Sequence, residues 1–165
     1  MGGHHAPVRG AKDEWLTPPE VEEACGPFDL DPRSPADRPW PTAKRHLTIH
    51  NDGLVSPWGP DEFVWLNPPY GQQTWKWLDK LAAHPRGGVA LIFARTETAG
   101  FVASVWGKAD ALLFLHGRLF FHHVNGTRAS SNSGAPSVLV AYGADAMVRL
   151  DQCGLPGSYV DGWIR

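Results

Sequence analysis

A run of four residues, Asn67-Pro68-Pro69-Tyr70, combines groups that could activate an amine. The Asn67 side-chain oxygen and the Pro68 backbone carbonyl can accept both hydrogens of a planar amino group, which localises the nitrogen lone pair. The two prolines remove competing N–H donors and fix the backbone, and Tyr70 offers a flat face on which an extruded base can stack. The alternative is a simple turn that ends a strand, with Tyr70 covering a core.

The elements around this run predict an α/β fold. Apolar runs at residues 63–66, 89–94 and 111–115 are typical of strands buried on both faces. Helical periodicity predicts helices over 74–83 and 98–106, between these strands. The alternation of strands and helices predicts a mostly parallel sheet with right-handed crossovers.

The C-terminal part changes character. Residues 118–124 and 137–142 predict two strands separated by a polar loop, in which Asn125-Gly126 is a strong turn signal. These strands predict an antiparallel edge on the otherwise parallel sheet.

The N-terminal part predicts a short helix. Thr17 and Glu20 have the spacing of a capping box, Pro18 suits the first helical position, and Gly26-Pro27 ends the helix.

A short strand should follow at residues 28–31, with Phe28 and Leu30 on one face and Asp29 and Asp31 on the other. The proline-rich segment 32–46 predicts a long loop beside Asp31, and 46–50 a further short strand.

Polar groups follow several predicted strands. Ligands bind at the carboxyl ends of the strands in open α/β sheets, so these groups should converge on one edge. The residues concerned are Asp31, Asn51-Asp52, Asn67 to Tyr70 and Arg95-Thr96.

Five segments together resemble a known family, the small phage-type DNA N-6-adenine methyltransferases. The segments are residues 15–19 (WLTPP), 28–32 (FDLDP), 51–54 (NDGL), 66–71 (LNPPYG) and 117–121 (GRLFF). The resemblance runs from about Trp15 to Tyr142. It implies a shortened, Rossmann-like S-adenosylmethionine-dependent methyltransferase fold, with one catalytic domain over 13–165 after a flexible arm at 1–12.

The resemblance implies S-adenosylmethionine as the cofactor, although the usual glycine-rich loop is absent and residues 28–32 occupy its place. Asp31, with Asp29 beside it, is the candidate for binding ribose hydroxyls, and Asp52 for accepting from the cofactor's adenine amino group. Each aspartate could instead form a turn. The full set of candidate cofactor-binding residues is Trp15, Thr17, Pro18, Asp29, Asp31, Asp52 and Asn67.

The substrate side is expected in the C-terminal half, because residues 111–144 contain no Asp or Glu but do contain Arg118 and Arg128. Positive charge concentrated in this way suits contact with phosphate. Phe120 or Phe121 is expected to pack on a flipped base, the other being core. The candidate DNA-binding residues are Tyr70, Lys76, Arg118, Phe120, Arg128 and Asn132.

Composition limits the other possibilities. A formal net charge of -2 argues against nucleic-acid binding by bulk charge alone. No apolar run is long enough for a membrane span, and two cysteines give neither a disulfide framework nor a CxxC metal site. We therefore expect a cytoplasmic protein without metal or membrane partner, and the resemblance implies a bacterial or phage-infected cell.

Three functions remain open at this point. The first is methylation of adenine N6 in DNA, with a short or relaxed recognition site because 165 residues leave no room for a separate recognition domain. The second is methylation of another amine, on RNA adenine or protein glutamine, by the same motif. The third is a nucleic-acid-binding module that has lost catalysis.

Overall fold

The computed structural model describes residues 14–165, so the flexible arm predicted at 1–12 lies outside the described residues. Seven strands and four helices are present in this part of the chain. The strands are β1 (Leu30–Asp31), β2 (Arg45–His46), β3 (Val64–Leu66), β4 (Gly88–Phe93), β5 (Ala111–Leu115), β6 (Ser137–Tyr142) and β7 (Gly157–Asp161). The helices are α1 (Pro19–Cys25), α2 (Gln73–Ala83), α3 (Ala99–Phe101), continued by a π-helical turn over Val102–Trp106, and α4 (Ala144–Gln152).

The strands form one sheet in the order β2-β1-β3-β4-β6-β5-β7. The first four strands are parallel, and β6 is antiparallel to both β4 and β5. The predicted α/β, Rossmann-like fold class with antiparallel C-terminal strands is therefore confirmed. The predicted position of the antiparallel strand is wrong in one respect: β6 lies inside the sheet, and β7 forms the edge by pairing with β5.

Both faces of the sheet are covered, as the continuous apolar runs predicted. Along β3, Val64 and Leu66 pack into one core with Leu78 of α2, while Trp65 packs into the other with Val21 of α1. All five side chains are at most 2% exposed. β3 is thus held from both sides, which fixes the position of the residues that follow Leu66.

Helix α1 begins one residue later than the capping-box pattern predicts. Pro18 is the N-cap residue, and no side chain caps the helix. Thr17, the predicted cap, instead accepts a hydrogen bond from Asn67 Nδ2 at 3.3 Å. The hydroxyl therefore contacts the end of β3, and on the helix side it hydrogen-bonds to the carboxyl group of Glu22.

The predicted alternation at residues 28–31 is wrong. The Phe63 carbonyl accepts hydrogen bonds from both Asp29 N, at 2.8 Å, and Leu30 N, at 3.2 Å. Two residues opposite one are the signature of a bulge, which interrupts the alternation of side chains. Phe28 and Leu30 consequently pack into cores on opposite faces of the sheet.

Two further sequence predictions are wrong. Residues 118–124 form no strand, only isolated bridges of His122 to Leu16 and to Arg128. The short strand predicted at 46–50 is displaced to Arg45–His46 (β2), because residues 48–51 form a turn in which Asn51 N donates to Thr48 O.

A core substitution tests the packing of α2 behind the site. Leu78→Ala should lower the free energy of unfolding by about 2–5 kcal/mol, because the side chain is fully buried and its loss leaves a cavity. Urea denaturation measures the change. Val148→Ala, at a position that is 50% exposed on α4, is the control and should change stability little; equal effects would contradict the described core.

Candidate active site

The end of β3 presents two unused hydrogen-bond acceptors. Asn67 follows Leu66 directly and is half-buried, and its Nδ2 donates to Thr17 Oγ1. Among residues 14–165, neither Asn67 Oδ1 nor the Pro68 carbonyl accepts a hydrogen bond. The amide is thus oriented by its donor side, and its oxygen is available to a ligand.

The diproline corner is tied to the start of α2. Thr74 Oγ1 donates to the Pro69 carbonyl at 2.5 Å, and Thr74 N donates to the Gly71 carbonyl at 3.2 Å. Pro68 is buried. These contacts and the fixed φ angles of the prolines make the corner rigid.

Tyr70 lies at the mouth of a cavity of about 190 Å³, roughly the space that one nucleobase occupies. Its ring is 46% exposed and stacks on Phe93, with centroids 4.4 Å apart and planes 4° apart. Phe93 ends β4, so two adjacent parallel strands deliver the two rings to the same edge. The cavity is lined by Trp15, Tyr70, Phe93, Phe121, Ala129, Ser131, Asn132 and Ser133.

A second cavity of about 470 Å³ lies on the other side of this aromatic pair. Tyr70 and Phe93 line it together with Trp75 of α2 and with Arg95 and Thr98. The predicted convergence of Arg95 on this edge is therefore observed, although Arg95 is exposed and lies 5.7 Å from the Phe93 ring.

Asp31 lies on the opposite side of Asn67, in a narrow polar cleft. Its carboxylate is 3% exposed and accepts hydrogen bonds from Thr42 Oγ1, at 2.5 Å, and from Arg33 N, at 3.1 Å. Burial raises the pKa of Asp31 to about 6, although both hydrogen bonds oppose this shift. Thr17, Glu22 and Asn67 line the same cleft, which contains only about 10 Å³ of free space.

Glu22 of α1 is a site residue that the sequence reasoning missed. It is 6% exposed, and its Oε1 is buried without a hydrogen-bond partner in the described part of the chain. Burial and the adjacent Asp31 carboxylate raise the pKa of Glu22 to about 9. Helical spacing could have indicated its burial, because Glu22 lies on the buried face of α1 with Val21 and Cys25.

A groove of about 640 Å³ lies on the far side of Glu22, between α1 and the segment that leads into β2. Trp40 lines it, and its indole Nε1 is buried with no acceptor among the described residues. Two residues that line the groove, Glu22 and Trp40, thus each carry a buried polar atom without a partner among residues 14–165. Its other lining residues include Pro19, Phe28 and Thr42.

Four of the predicted cofactor-binding residues come together around these spaces. Trp15, Thr17, Asp31 and Asn67 all line the cleft beside Asn67. Pro18, the N-cap of α1, is buried next to Thr17.

Asp29 and Asp52 do not join this group. Asp29 lies at the bulge, where it accepts a hydrogen bond from Phe63 N at 2.8 Å and pairs with Lys44 at 3.4 Å. Asp52 is exposed in a turn, with a φ of 50° and a hydrogen bond from Leu54 N to its carboxylate. Both aspartates thus have local structural contacts, and cofactor binding by Asp29 and Asp52 stays a prediction.

The predicted DNA-binding residues are only partly assembled. Asn132 lines the base-sized cavity. Of the two candidate phenylalanines, Phe121 lines this cavity and Phe120 does not. Phe120 instead lies under the Arg128 guanidinium, 4.0 Å from the ring centroid. Arg118 and Lys76 are exposed.

No three His, Cys, Asp or Glu side chains between residues 14 and 165 are grouped so as to hold a metal ion. Nor is any helix in that range long and apolar enough to cross a membrane.

One comparison with known proteins gives a match. Residues 5–147, most of the 165-residue chain, match the family described as DNA N-6-adenine-methyltransferase (Dam). No curated protein and no solved structure matches the chain.

The structural role of Asp29 can be tested by its pH dependence. The hydrogen bond from Phe63 N holds the pKa of Asp29 below its usual value, so Asp29 stabilises the fold above the unfolded-state pKa. Asp29→Asn should lower the free energy of unfolding by about 0.5–1 kcal/mol at pH 7. This difference should shrink as the pH falls below about 4, where the carboxylate takes up a proton.

The matched control is Asp37→Asn, which alters an exposed carboxylate in the segment after β1. Chemical denaturation at several pH values provides the measurement for both variants. A pH-independent effect of Asp29→Asn would contradict the assignment.

Proposed function

Because the chain belongs to the DNA N-6-adenine-methyltransferase family, we propose that it transfers a methyl group from S-adenosylmethionine to the N6 amino group of adenine in DNA. The observation that carries the proposal is the pair of unpartnered acceptors, Asn67 Oδ1 and the Pro68 carbonyl. They lie between a cavity of nucleobase size and a cleft lined by carboxyl groups.

The acceptors address the main chemical obstacle. An adenine amino group is a poor nucleophile because its lone pair is delocalised into the ring. With the two N6 hydrogens held by Asn67 Oδ1 and the Pro68 carbonyl, the nitrogen is drawn towards tetrahedral geometry and its lone pair becomes available. When bound, S-adenosylmethionine supplies a methyl group already activated by its positive sulfur. As the new N–C bond forms, the bond between sulfur and the methyl group breaks, its electron pair returns to sulfur to leave a neutral thioether, and one N6 proton is released along these acceptors to water.

Rigid placement makes this arrangement effective. Asn67 Nδ2 donates its hydrogen bond to Thr17 Oγ1, so the amide oxygen, not the amide nitrogen, faces the incoming amine. Thr74 holds the diproline corner against α2. Acceptors that are already in position need no reorganisation during the reaction, which is the general basis of electrostatic catalysis.

The aromatic cavity is the proposed site for the flipped adenine. Tyr70 is pre-oriented by stacking on Phe93, and Trp15, Phe121 and Asn132 complete the walls. Stacking on an aromatic ring contributes about 1–3 kcal/mol per base and offsets the cost of unstacking. Asn132 can add a hydrogen bond to an edge of the base.

The polar cleft and the adjoining groove are the proposed cofactor site. Asp31 is suited to ribose hydroxyls because it is an acceptor fixed by Thr42 and Arg33. The groove has the volume for a nucleoside, and its unpaired Trp40 N–H can donate to one. The free space beside Asp31 is small, so we expect Thr42 to leave Asp31 when the cofactor enters.

The cationic residues Lys76, Arg118 and Arg128 are the proposed phosphate contacts. All three are exposed, and Arg128 is held in place by Phe120. The segment between β5 and β6 supplies two of them and borders the base cavity through Asn132. Contacts from this segment would suit recognition of a short or relaxed DNA sequence. The proposed location of the reaction is the cytoplasm of a bacterial or phage-infected cell.

Loss of the Asn67 oxygen tests the chemistry. Asn67→Ala should lower the rate of adenine methylation at least about 100-fold, because removal of one preorganised group of this kind has an effect of that size. The fold should change little. Purified protein is incubated with labelled S-adenosylmethionine and with DNA, RNA or a glutamine-containing peptide, and the products are identified by mass spectrometry.

The matched control is Gln152→Ala, which removes an exposed side-chain amide at the end of α4. It should methylate DNA at the wild-type rate. Full activity of Asn67→Ala would refute the mechanism, and labelling of RNA or peptide instead of DNA would refute the proposed substrate.

The phosphate contacts can be tested through their salt dependence. Arg128→Ala should weaken DNA binding about equally for all sequences and lower the slope of log K against log salt concentration by about 1. Fluorescence anisotropy at several salt concentrations measures both effects. Lys108→Ala is the control, because Lys108 precedes β5 at the opposite edge of the sheet; the same loss there would indicate a non-specific charge effect.

A further inference from the structure

Glu22 is buried with a side-chain hydrogen bond to Thr17, but it forms no ion pair within residues 14–165. It projects from α1 into the space between the Asp31 cleft and the open groove, and it lines both. Its Oε1 is buried without a hydrogen bond from any residue in the range 14–165. A buried, unsatisfied carboxyl oxygen destabilises the free protein, since an unmade hydrogen bond of this kind costs about 1–3 kcal/mol.

The charges around Glu22 identify the kind of ligand that could satisfy it. Asp31, on β1, and Glu23, on the same helix, both disfavour an ionised Glu22. Two basic residues also line these spaces, Arg33 in the cleft and Lys44 in the groove, but neither forms an ion pair with Glu22. The site therefore holds two adjacent carboxyl groups, and an additional positive charge would allow both to be ionised.

We propose that Glu22 is a second carboxylate of the cofactor site and pairs with a positive charge of S-adenosylmethionine, either its sulfonium or its ammonium group. This inference rests on the proposed function. In this assignment Glu22 binds the positively charged group of the cofactor, and Asp31 binds the ribose hydroxyls. Glu22 and Asn67 line the same cleft, so a charge paired with Glu22 lies near the amine-binding corner.

The pairing couples cofactor binding to a proton. Burial and the Asp31 charge keep Glu22 protonated at neutral pH in the free protein. A cation placed against it lowers its pKa, so the proton leaves as the cofactor binds. Between the pKa of Glu22 in the complex and its pKa in the free protein, cofactor affinity should therefore rise with pH, by at most about tenfold for each pH unit.

Glu22→Gln is the appropriate variant, because the amide keeps the size and hydrogen-bonding capacity of the protonated acid but cannot ionise. Isothermal titration calorimetry near pH 7, in two buffers with different ionisation enthalpies, gives both the affinity and the number of protons released. Wild type should release close to one proton per S-adenosylmethionine. Glu22→Gln should release almost none and bind about tenfold more weakly.

The matched control is Glu20→Gln, an exposed position on the same helix, which should behave as wild type. S-Adenosylhomocysteine, which keeps the ammonium but lacks the sulfonium charge, separates the two possible partners. Proton release that persists with it assigns Glu22 to the ammonium, and release that disappears assigns Glu22 to the sulfonium.

A second readout requires no cofactor. An acid whose pKa is raised on folding stabilises the fold fully below its unfolded-state pKa and loses that contribution as the pH rises towards about 9. The melting temperature of the wild type should therefore fall between pH 6 and 8.5, and that of Glu22→Gln should fall less. Parallel curves would contradict a buried, protonated Glu22.

The outcomes for the two proposals are distinct. If the wild type methylates DNA and Glu22→Gln binds the cofactor with the same affinity and proton release, only the role of Glu22 is refuted. If the wild type binds no S-adenosylmethionine, the proposed function is refuted as well. Proton release that occurs in the wild type and is absent in Glu22→Gln supports both the proposed function and the role of Glu22.

Discussion

The hydrogen bond from Asn67 Nδ2 to Thr17 Oγ1 determines what the end of β3 can do. An amide side chain has one donor end and one acceptor end, and the two differ little in shape. Because Thr17 takes the donor end, the acceptor end and the Pro68 carbonyl are left together on the open side. The N-terminal segment thus sets the chemical character of a corner that is 50 residues further along the chain.

The sheet gives this corner its rigidity. β3 is buried on both faces and β4 lies beside it, so Asn67 and Phe93 are fixed relative to each other by backbone pairing rather than by loops. The carboxyl groups belong to different elements, Asp31 to the end of β1 and Glu22 to α1. The site therefore joins three strands and one helix at the edge where the parallel strands end.

The sequence allowed much of this fold to be predicted, because the buried strands and α2 depend on local apolar periodicity. The failures have specific causes. The bulge at Asp29 arises from pairing with Phe63, a residue distant in sequence, and no local pattern encodes it. Residues 118–124 resemble a strand in sequence, yet they form only isolated bridges to Leu16 and Arg128. Glu22 was overlooked because a charged residue on a short helix is usually exposed.

The position of β6 between β4 and β5 has a consequence for the segment over residues 116–136. β5 ends and β6 begins at the same edge of the sheet, so this connecting segment starts and ends at that edge and returns to the sheet beside Phe93. A stretch anchored at both ends in this way can gain or lose residues while every strand keeps its register. Changes in length here can therefore reshape the wall of the base-sized cavity, which Phe121 and Asn132 line, without moving Asn67 to Tyr70.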